Sequence, residues 1–373
     1  MTAALTAGAL LFSLAGCGGS DSAAPDSSAV EAAPGVKAAE ETIAQISSAM
    51  PTSIGITEPV EGTIPASKHL VYITLNVPAA TENIQFLKEA AKELDWTVDM
   101  ISGGLSPEEF KAAFAQAVRQ QPDAVVTAGI DAEFVHDELV QLNKAEIPVV
   151  FLGEAPAEFA LANIYGLDPQ EQSGRYNANW VVADSKGRAN IVYYDFSAVK
   201  TVLQVGIGFK EVIDENCPGC TLEFKDVNGA DIGTSLPGQV VSHLRSNPDT
   251  DYIVVAFSDL AIGVPGALAD AGITPDKVKI VGANPGPGSR VNIAAANYEQ
   301  AAISFPKQEN MWRMLDVLAR HWAGSSVAPA VDAPYPYFLF TTDNTKVWGG
   351  PAEEEWPIVA DYRDQYATLW GLS

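Results

Sequence analysis

Three cysteines and four histidines bound the thiol and metal chemistry open to this 373-residue chain. Cys217 and Cys220 form Cys-Pro-Gly-Cys, a spacing that suits a dithiol redox centre, half of a metal site, or a disulfide closing a turn. No second cysteine pair accompanies them, and His69, His136, His243 and His321 are scattered singly. Carboxylate pairs such as Asp131 and Glu133 suit general acid–base work, yet 47 acidic residues supply such pairs by chance. Gly206-Ile207-Gly208 lacks the third glycine of a dinucleotide loop and falls inside a helical stretch. The sequence contains no Gly-x-Ser-x-Gly elbow, His-Glu-x-x-His pair or phosphate loop. The expectation is a chain with no catalytic residue, no cofactor and no metal. Only 22 Lys and Arg oppose the acids, for a net charge of −25. Such a chain has no store of cations to neutralise phosphates, which excludes nucleic acid and makes anionic lipid an unsuitable surface.

The one remaining cysteine has a different context. An apolar run over residues 3–15, too short to span a bilayer, suits a secretion signal and ends in Leu14-Ala15-Gly16-Cys17. That ending resembles the bacterial lipobox, in which the cysteine is lipidated and becomes the new N-terminus. No Lys or Arg precedes the run, so the natural start is expected upstream of Met1. Residues 21–49 are Ala, Ser, Pro and Glu with few large apolar groups, and are expected to form a flexible tether with a transient helix over 37–46. The expected setting is extracytoplasmic, with the body lipid-anchored to the cell membrane through Cys17. Such a compartment permits disulfides, so Cys217 and Cys220 are read as a small structural one.

The elements that must position any site alternate regularly. Short apolar runs at 70–75, 97–101, 124–127 and 147–151 read as buried parallel strands. Between them lie helical patterns at 81–94, at 106–120 with Ser106 and Glu109 as a capping box, and at 131–144. The rhythm restarts with helices at 170–183, 199–215, 236–245 and 259–271 and strands at 189–194, 221–225, 252–256 and 278–281. A further helix covers 308–322, and a strand-like run covers 337–341. Two α/β lobes with parallel sheets imply a cleft beyond the carboxyl ends of the strands. Those ends hold Asn76, Asp131, Glu154, Phe196, Ser258, Asp259 and Asn284; each is a candidate ligand contact, although Asp131 and Asp259 equally suit helix caps.

Several segments resemble the sugar-type, class I periplasmic binding proteins that deliver solutes to ABC importers. They are Gln121-Pro122-Asp123-Ala124-Val125-Val126, Ile147-Pro148-Val149-Val150, the run Asp259 to Leu268, and Val281-Gly282-Ala283-Asn284, in the family's order and spacing. The resemblance covers roughly 68–343. It implies a type I fold of two three-layer lobes joined by a three-stranded hinge, with crossings near 167, 304 and 331. The implied division is a signal over 1–16; an anchor, tether and lead-in over 17–67; a first lobe of 68–167 with 305–330; and a second lobe of 168–304 with 331–373. It also implies a solute-binding role, an importer permease as partner, and a monomer.

The family's ligand-gripping residues carry over poorly. Asn76-Val77-Pro78-Ala79-Ala80 has no aromatic ring where the family stacks two on its sugar, which leaves Ala79 at a contact position. The family's Asp-Arg is Gly153-Glu154, its helix arginine falls near Leu203 or Val205, and its hinge glutamine is Ser304, beside Phe305. Loss of bidentate groups is the wrong design for holding every hydroxyl of a pentose. The expected solute is a sugar or sugar-like molecule that is larger or less hydroxylated than a simple aldopentose. A non-sugar organic solute, or a sensing role that presents solute to a membrane receptor, is the competing expectation. The aromatic tail from 344, with Trp348, Trp356 and Trp370, is expected to pack on the body, and the hinge side of a lobe is its expected resting place.

Overall fold

The computed structural model describes residues 34–153, 157–347, 351–352, 354 and 357–372. The expected signal, Cys17, Glu154, Trp348 and Trp356 lie outside them. The chain runs α1 (Pro34–Ser47), β1 (His69–Leu75), α2 (Pro78–Thr81), α3 (Asn83–Glu93), β2 (Thr97–Gly104), α4 (Pro107–Gln120), β3 (Ala124–Ala128), α5 (His136–Lys144), β4 (Val149–Leu152) and β5 (Ala162–Ile164). It continues with α6 (Leu167–Asp184), β6 (Asn190–Asp195), α7 (Lys200–Asn216), β7 (Thr221–Asp226), α8 (Leu236–Ser246), β8 (Tyr252–Val255), α9 (Val264–Asp270) and β9 (Lys279–Ala283). The last elements are α10 (Pro287–Ala294), β10 (Glu299–Ser304), α11 (Lys307–Ala323), α12 (Ala328–Asp332), β11 (Phe338–Thr341) and α13 (Tyr362–Leu369).

Two sheets result, ordered β2-β1-β3-β4-β5 and β11-β10-β9-β8-β6-β7. Every pairing is parallel except β10 with β11. Helices cover both faces, which is why β3 and β4 are apolar and buried at every position. The fold is the type I two-lobed α/β architecture. Local chemistry sets the helix starts. Ser106 Oγ accepts from Glu109 N while Glu109 Oε2 accepts from Leu105 N at 2.9 Å, a reciprocal cap. Gly174 and Gly208 let α6 and α7 touch backbone to backbone. A Cβ on Gly174 would sit 1.9 Å from Val205 O, and one on Gly208 2.0 Å from Glu171 O. The Gly206-Ile207-Gly208 run therefore belongs to a helix crossing.

Several expected elements differ. The helix expected over 81–94 is broken at Glu82 into α2 and α3. Residues 131–144 begin with a 3₁₀ turn at Ala132–Val135 before α5. Gly286-Pro287-Gly288, whose composition suits a loop near the cleft or a plain turn, is instead the start of α10, with Pro287 and its fixed φ in the first turn.

The larger corrections concern the two ends. The tether expected over 21–49 contains α1, a docked helix in place of the transient one expected over 37–46, with Val36 and Ala39 buried in the second lobe and packed against α6. Residues 54–60 then enter the first lobe, where Ile54 and Ile56 are buried and Arg313 donates to Ile54 O at 2.9 Å. The tail, expected with the second lobe, returns to the first. Trp370 stacks on Trp312 of α11 with centroids 5.3 Å apart and planes 2° apart, and Tyr362 reaches Glu89 of α3 at 3.5 Å.

The reason is α11, which is buried all round from Lys307 to Arg320 although it carries charge. Its polar groups need partners that the sheet cannot give, and both ends of the chain supply them. Arg320 pairs with Asp316 at 2.7 Å and donates to Glu58 O, Trp370 Nε1 donates to Asp316 Oδ1 at 2.8 Å, and Glu309 Oε1 accepts from the Ile358 and Val359 amides. Between the sheets the chain passes at 164–167, 304–307 and 332–338. It passes again between α1 and Ile54 and between β11 and Ile358, and Asn344 Nδ2 ties these outer passages by donating to Ser47 O at 3.3 Å.

Candidate functional site

The carboxyl ends of β1, β3 and β4 in the first lobe face those of β8 and β9 in the second. A cavity of about 810 Å³, counting its open mouth, lies between them. The first lobe contributes Thr74, Leu75, Val77, Ala80, Asn83, Ala128, Gly129, Leu152 and Gly153. The second contributes Gln170 and Ser173 from the start of α6, Thr201, Val202 and Val205 from the start of α7, and Ala256, Phe257, Ala283 and Asn284 from strand ends. Tyr165 and Phe305 close it from the hinge.

The rings at the hinge hold one another. Tyr165 lies 4.7 Å from Phe305, 5.0 Å edge-on from Tyr335 and 6.0 Å from Tyr337, so all three central passages meet on one side chain. Its backbone sits at φ 51, a conformation that costs about 1 kcal/mol or more in a residue with a Cβ and persists because packing imposes it. The phenol shares a hydrogen bond of 2.8 Å with Ser173 Oγ, and burial pushes it well above its ordinary range, so it stays neutral.

Polar groups in the lining are amides and hydroxyls; among its described residues there is no Asp, Glu, Lys or Arg. Asn83, nearly fully buried, donates through Nδ2 to Tyr72 OH at 3.4 Å. Burial pushes that phenol up to about 12. The other end of the amide, Oδ1, has no hydrogen-bond partner, and neither has Asn284 Oδ1 across the cavity. Buried acceptors left open in this way are uncommon in folded proteins and favour a ligand that brings donors. Asn284 also sits at φ 54, which asparagine tolerates better than most residues.

Of the residues singled out from sequence, Asn284 and Phe305 line the cavity. Asn76 lies exposed between the lining residues Leu75 and Val77, and Ala79 falls in α2. Phe196 is buried behind Phe257, ring centroids 5.9 Å apart. Of the two α7 positions offered from sequence, Val205 lines the cavity with Thr201 and Val202, whereas Leu203 points nearly half a turn from the middle of that face. Ser258 and Asp259 are buried in a 3₁₀ turn outside the lining, and Ser304 Oγ donates to Phe305 O at 3.2 Å. Asp131 does not cap its own turn; its Oδ2 accepts from Lys200 N on the opposite lobe at 2.8 Å. Sequence reading missed Thr74, Asn83, Tyr165, Gln170, Ser173, Thr201 and Phe257. The usable signal for Asn83, Gln170 and Thr201 is a first-turn polar residue on a helix whose N-terminus opens on the crevice.

Cys217 and Cys220 are joined as a disulfide at the C-terminal end of α7. Helix C-termini disfavour a thiolate, whereas redox cysteines use N-termini, so this turn is structural. Among the described residues no cluster of His, Cys, Asp and Glu is arranged to hold a metal, and no helix is long and apolar enough to cross a membrane.

Two hinged α/β lobes with a neutral cavity at their strand ends define a solute-binding protein. The family model described as periplasmic binding protein domain matches residues 77–326, and the chain belongs to that family, whose members work outside the cytoplasm as binding proteins. A sugar ABC transporter subunit from Rhodobacter sphaeroides 2.4.1 superposes with a TM-score of 0.64 at 22% identity, covering 74% of this chain and 99% of that one. A periplasmic ribose ABC transporter protein from Conexibacter woesei gives 0.62 at 21%, with 78% and 98% covered. The 5-methylthioribose transporter solute-binding protein from Thermotoga lettingae, in complex with 5-methylthioribose, gives 0.65 at 12%, with 82% and 94% covered. No curated protein matches by sequence.

Proposed function

We propose that this protein is lipid-anchored at Cys17 and captures a small uncharged solute between its lobes, passing it as a monomer to an ABC importer permease. The solute is a sugar or sugar-like molecule with fewer hydroxyls than a pentose displays, and with an apolar portion. The observation that carries this reading is the lining itself: three aromatic rings and many aliphatic groups, with Asn83 and Asn284 offering one open acceptor from each lobe. Acceptors of that kind suit hydroxyl or N–H donors, and the rings and aliphatic wall suit an apolar face.

Mass spectrometry of small molecules released on denaturing protein purified from its native host tests the reading directly. The expected result is one uncharged, partly apolar solute in near-stoichiometric amount. A thermal-shift screen in which ribose or xylose alone gives strong stabilisation refutes the proposed solute class. Radiolabelled palmitate incorporation that is lost in Cys17→Ser tests the anchor, and light scattering of the delipidated chain tests the monomer.

A further inference from the structure

The charges absent from the described cavity lining stand immediately beside it, paired across the cleft. Glu82, at the joint of α2 and α3 in the first lobe, faces Arg290 of α10 in the second. Arg290 Nη2 is 2.8 Å from Glu82 Oε1 and Nη1 is 3.3 Å from Oε2, a two-pronged contact, and Arg290 is fully buried. Arg290 Nη1 also donates to Pro285 O at 3.0 Å, while Lys307 Nζ lies 3.7 Å from Glu82 Oε2 and 3.5 Å from Pro285 O. Each member adjoins the lining: Glu82 precedes Asn83, Pro285 follows Asn284, and Lys307 is two residues from Phe305. On another side of the cleft, Lys200 of the second lobe is held by the first through its backbone N, which donates to Asp131 Oδ2, and its Nζ, which pairs with Glu133. In both clusters a carboxylate of the first lobe meets a cation of the second, and Lys307, at the start of first-lobe α11, adds a contact in the other direction to Pro285 O.

We propose that the Glu82–Arg290 pair is a closing latch, which fixes the closed alignment of the lobes by charge pairing between protein groups in every ligand state. Opening separates the partners into water, where each is hydrated; closing returns both to burial together. A buried pair of this kind is close to balanced while both members are present, but losing one strands the other's charge and strongly disfavours the buried arrangement. The latch is therefore a two-state element on which solute binding acts. The Lys200 pairing to Glu133, half-exposed on both sides, is the weaker and salt-sensitive contact.

The inference rests on reading the cavity as the solute site, but its test uses no solute, so the two fail separately. Spin labels introduced at Gln116→Cys on α4 and Gln239→Cys on α8, both exposed, in full-length protein carrying Cys17→Ser, report the inter-lobe distance by double electron–electron resonance. Glu82→Gln is expected to lower the closed-to-open ratio at least about tenfold. Glu82→Gln with Arg290→Met and Lys307→Met, which removes the Arg290 and Lys307 charges together with that of Glu82, is expected to recover most of the closed population. An unchanged distance distribution in Glu82→Gln overturns the latch, and so does a triple variant as open as the single one. Arg290→Met alone, which removes the two-pronged partner of Glu82, gives the same readout if Glu82→Gln does not fold, and an unchanged distribution there is equally fatal.

Discussion

Replacing Trp370 by alanine tests the most unexpected packing in the molecule. Its indole lies flat on Trp312, is nearly fully buried, and donates to the buried Asp316 carboxylate. Truncation of a buried Trp to Ala costs roughly 3–5 kcal/mol in transfer and cavity terms. Removing a donor from a buried carboxylate adds about 1–3 kcal/mol, part of which overlaps the first figure. A loss of roughly 4–6 kcal/mol follows. For about 340 folded residues the unfolding entropy is near 0.7 kcal/mol per kelvin, so Tm should fall by roughly 6–9 °C if the lobes melt together. Trp370→Phe keeps a ring on Trp312 and loses only the donor, so roughly a third of that shift is expected. Thermal unfolding followed by circular dichroism reads both. A Tm within 1 °C of wild type for the alanine variant, or a phenylalanine variant as unstable as it, refutes the reasoning.

Ala39→Asp places a charge where α1 meets α6, and should cost about 2–4 kcal/mol and make the 34–50 segment sensitive to limited proteolysis; unchanged protection would show that α1 is not docked. Burial pushes Glu299 up to about 7 and Asp195 to about 6, the latter helped by the Asp226 charge. Between the ordinary carboxylate range and these values the folded state binds more protons than the unfolded, so stability falls as pH rises through that window. The stability difference between wild type and Glu299→Gln should therefore change by about 3 kcal/mol between pH 5 and 8, in denaturant titrations, with the variant gaining at high pH; a constant difference sinks this. Asn284→Gly keeps the left-handed backbone and removes the open acceptor. It should leave the unliganded stability within about 1 kcal/mol of wild type and weaken binding of the co-purified solute about tenfold by calorimetry.

The strands and helices of the two lobes were legible because their strands are short apolar runs buried on both faces, as 124–127 and 147–151 show. Three-residue β5, and β10 with its Glu-Gln start, offer too little pattern to be seen. The α1 stripe of Val36, Ala39, Ile43 and Ile46 has helical spacing, but in an Ala- and Ser-rich setting composition alone argued for a tether. The aromatic tail announced that it packs, not where, because its partners Glu309, Asp316 and Trp312 lie some fifty residues away on one helix. Strand ends pointed to the cavity and to Asn284. Its helix-borne polar groups depend on how α3, α6 and α7 are aimed by packing, which no local pattern records.

One consequence of the outer passages concerns measurement. The described body begins on the second lobe, at Pro34 of α1, and finishes on the first, just beyond Trp370. Fluorescent proteins fused ahead of Pro34 and after Ser373 would each ride on a different lobe, so energy transfer between them would follow hinge motion with no internal insertion. The two ends of the described body are already placed as the two arms of a solute biosensor.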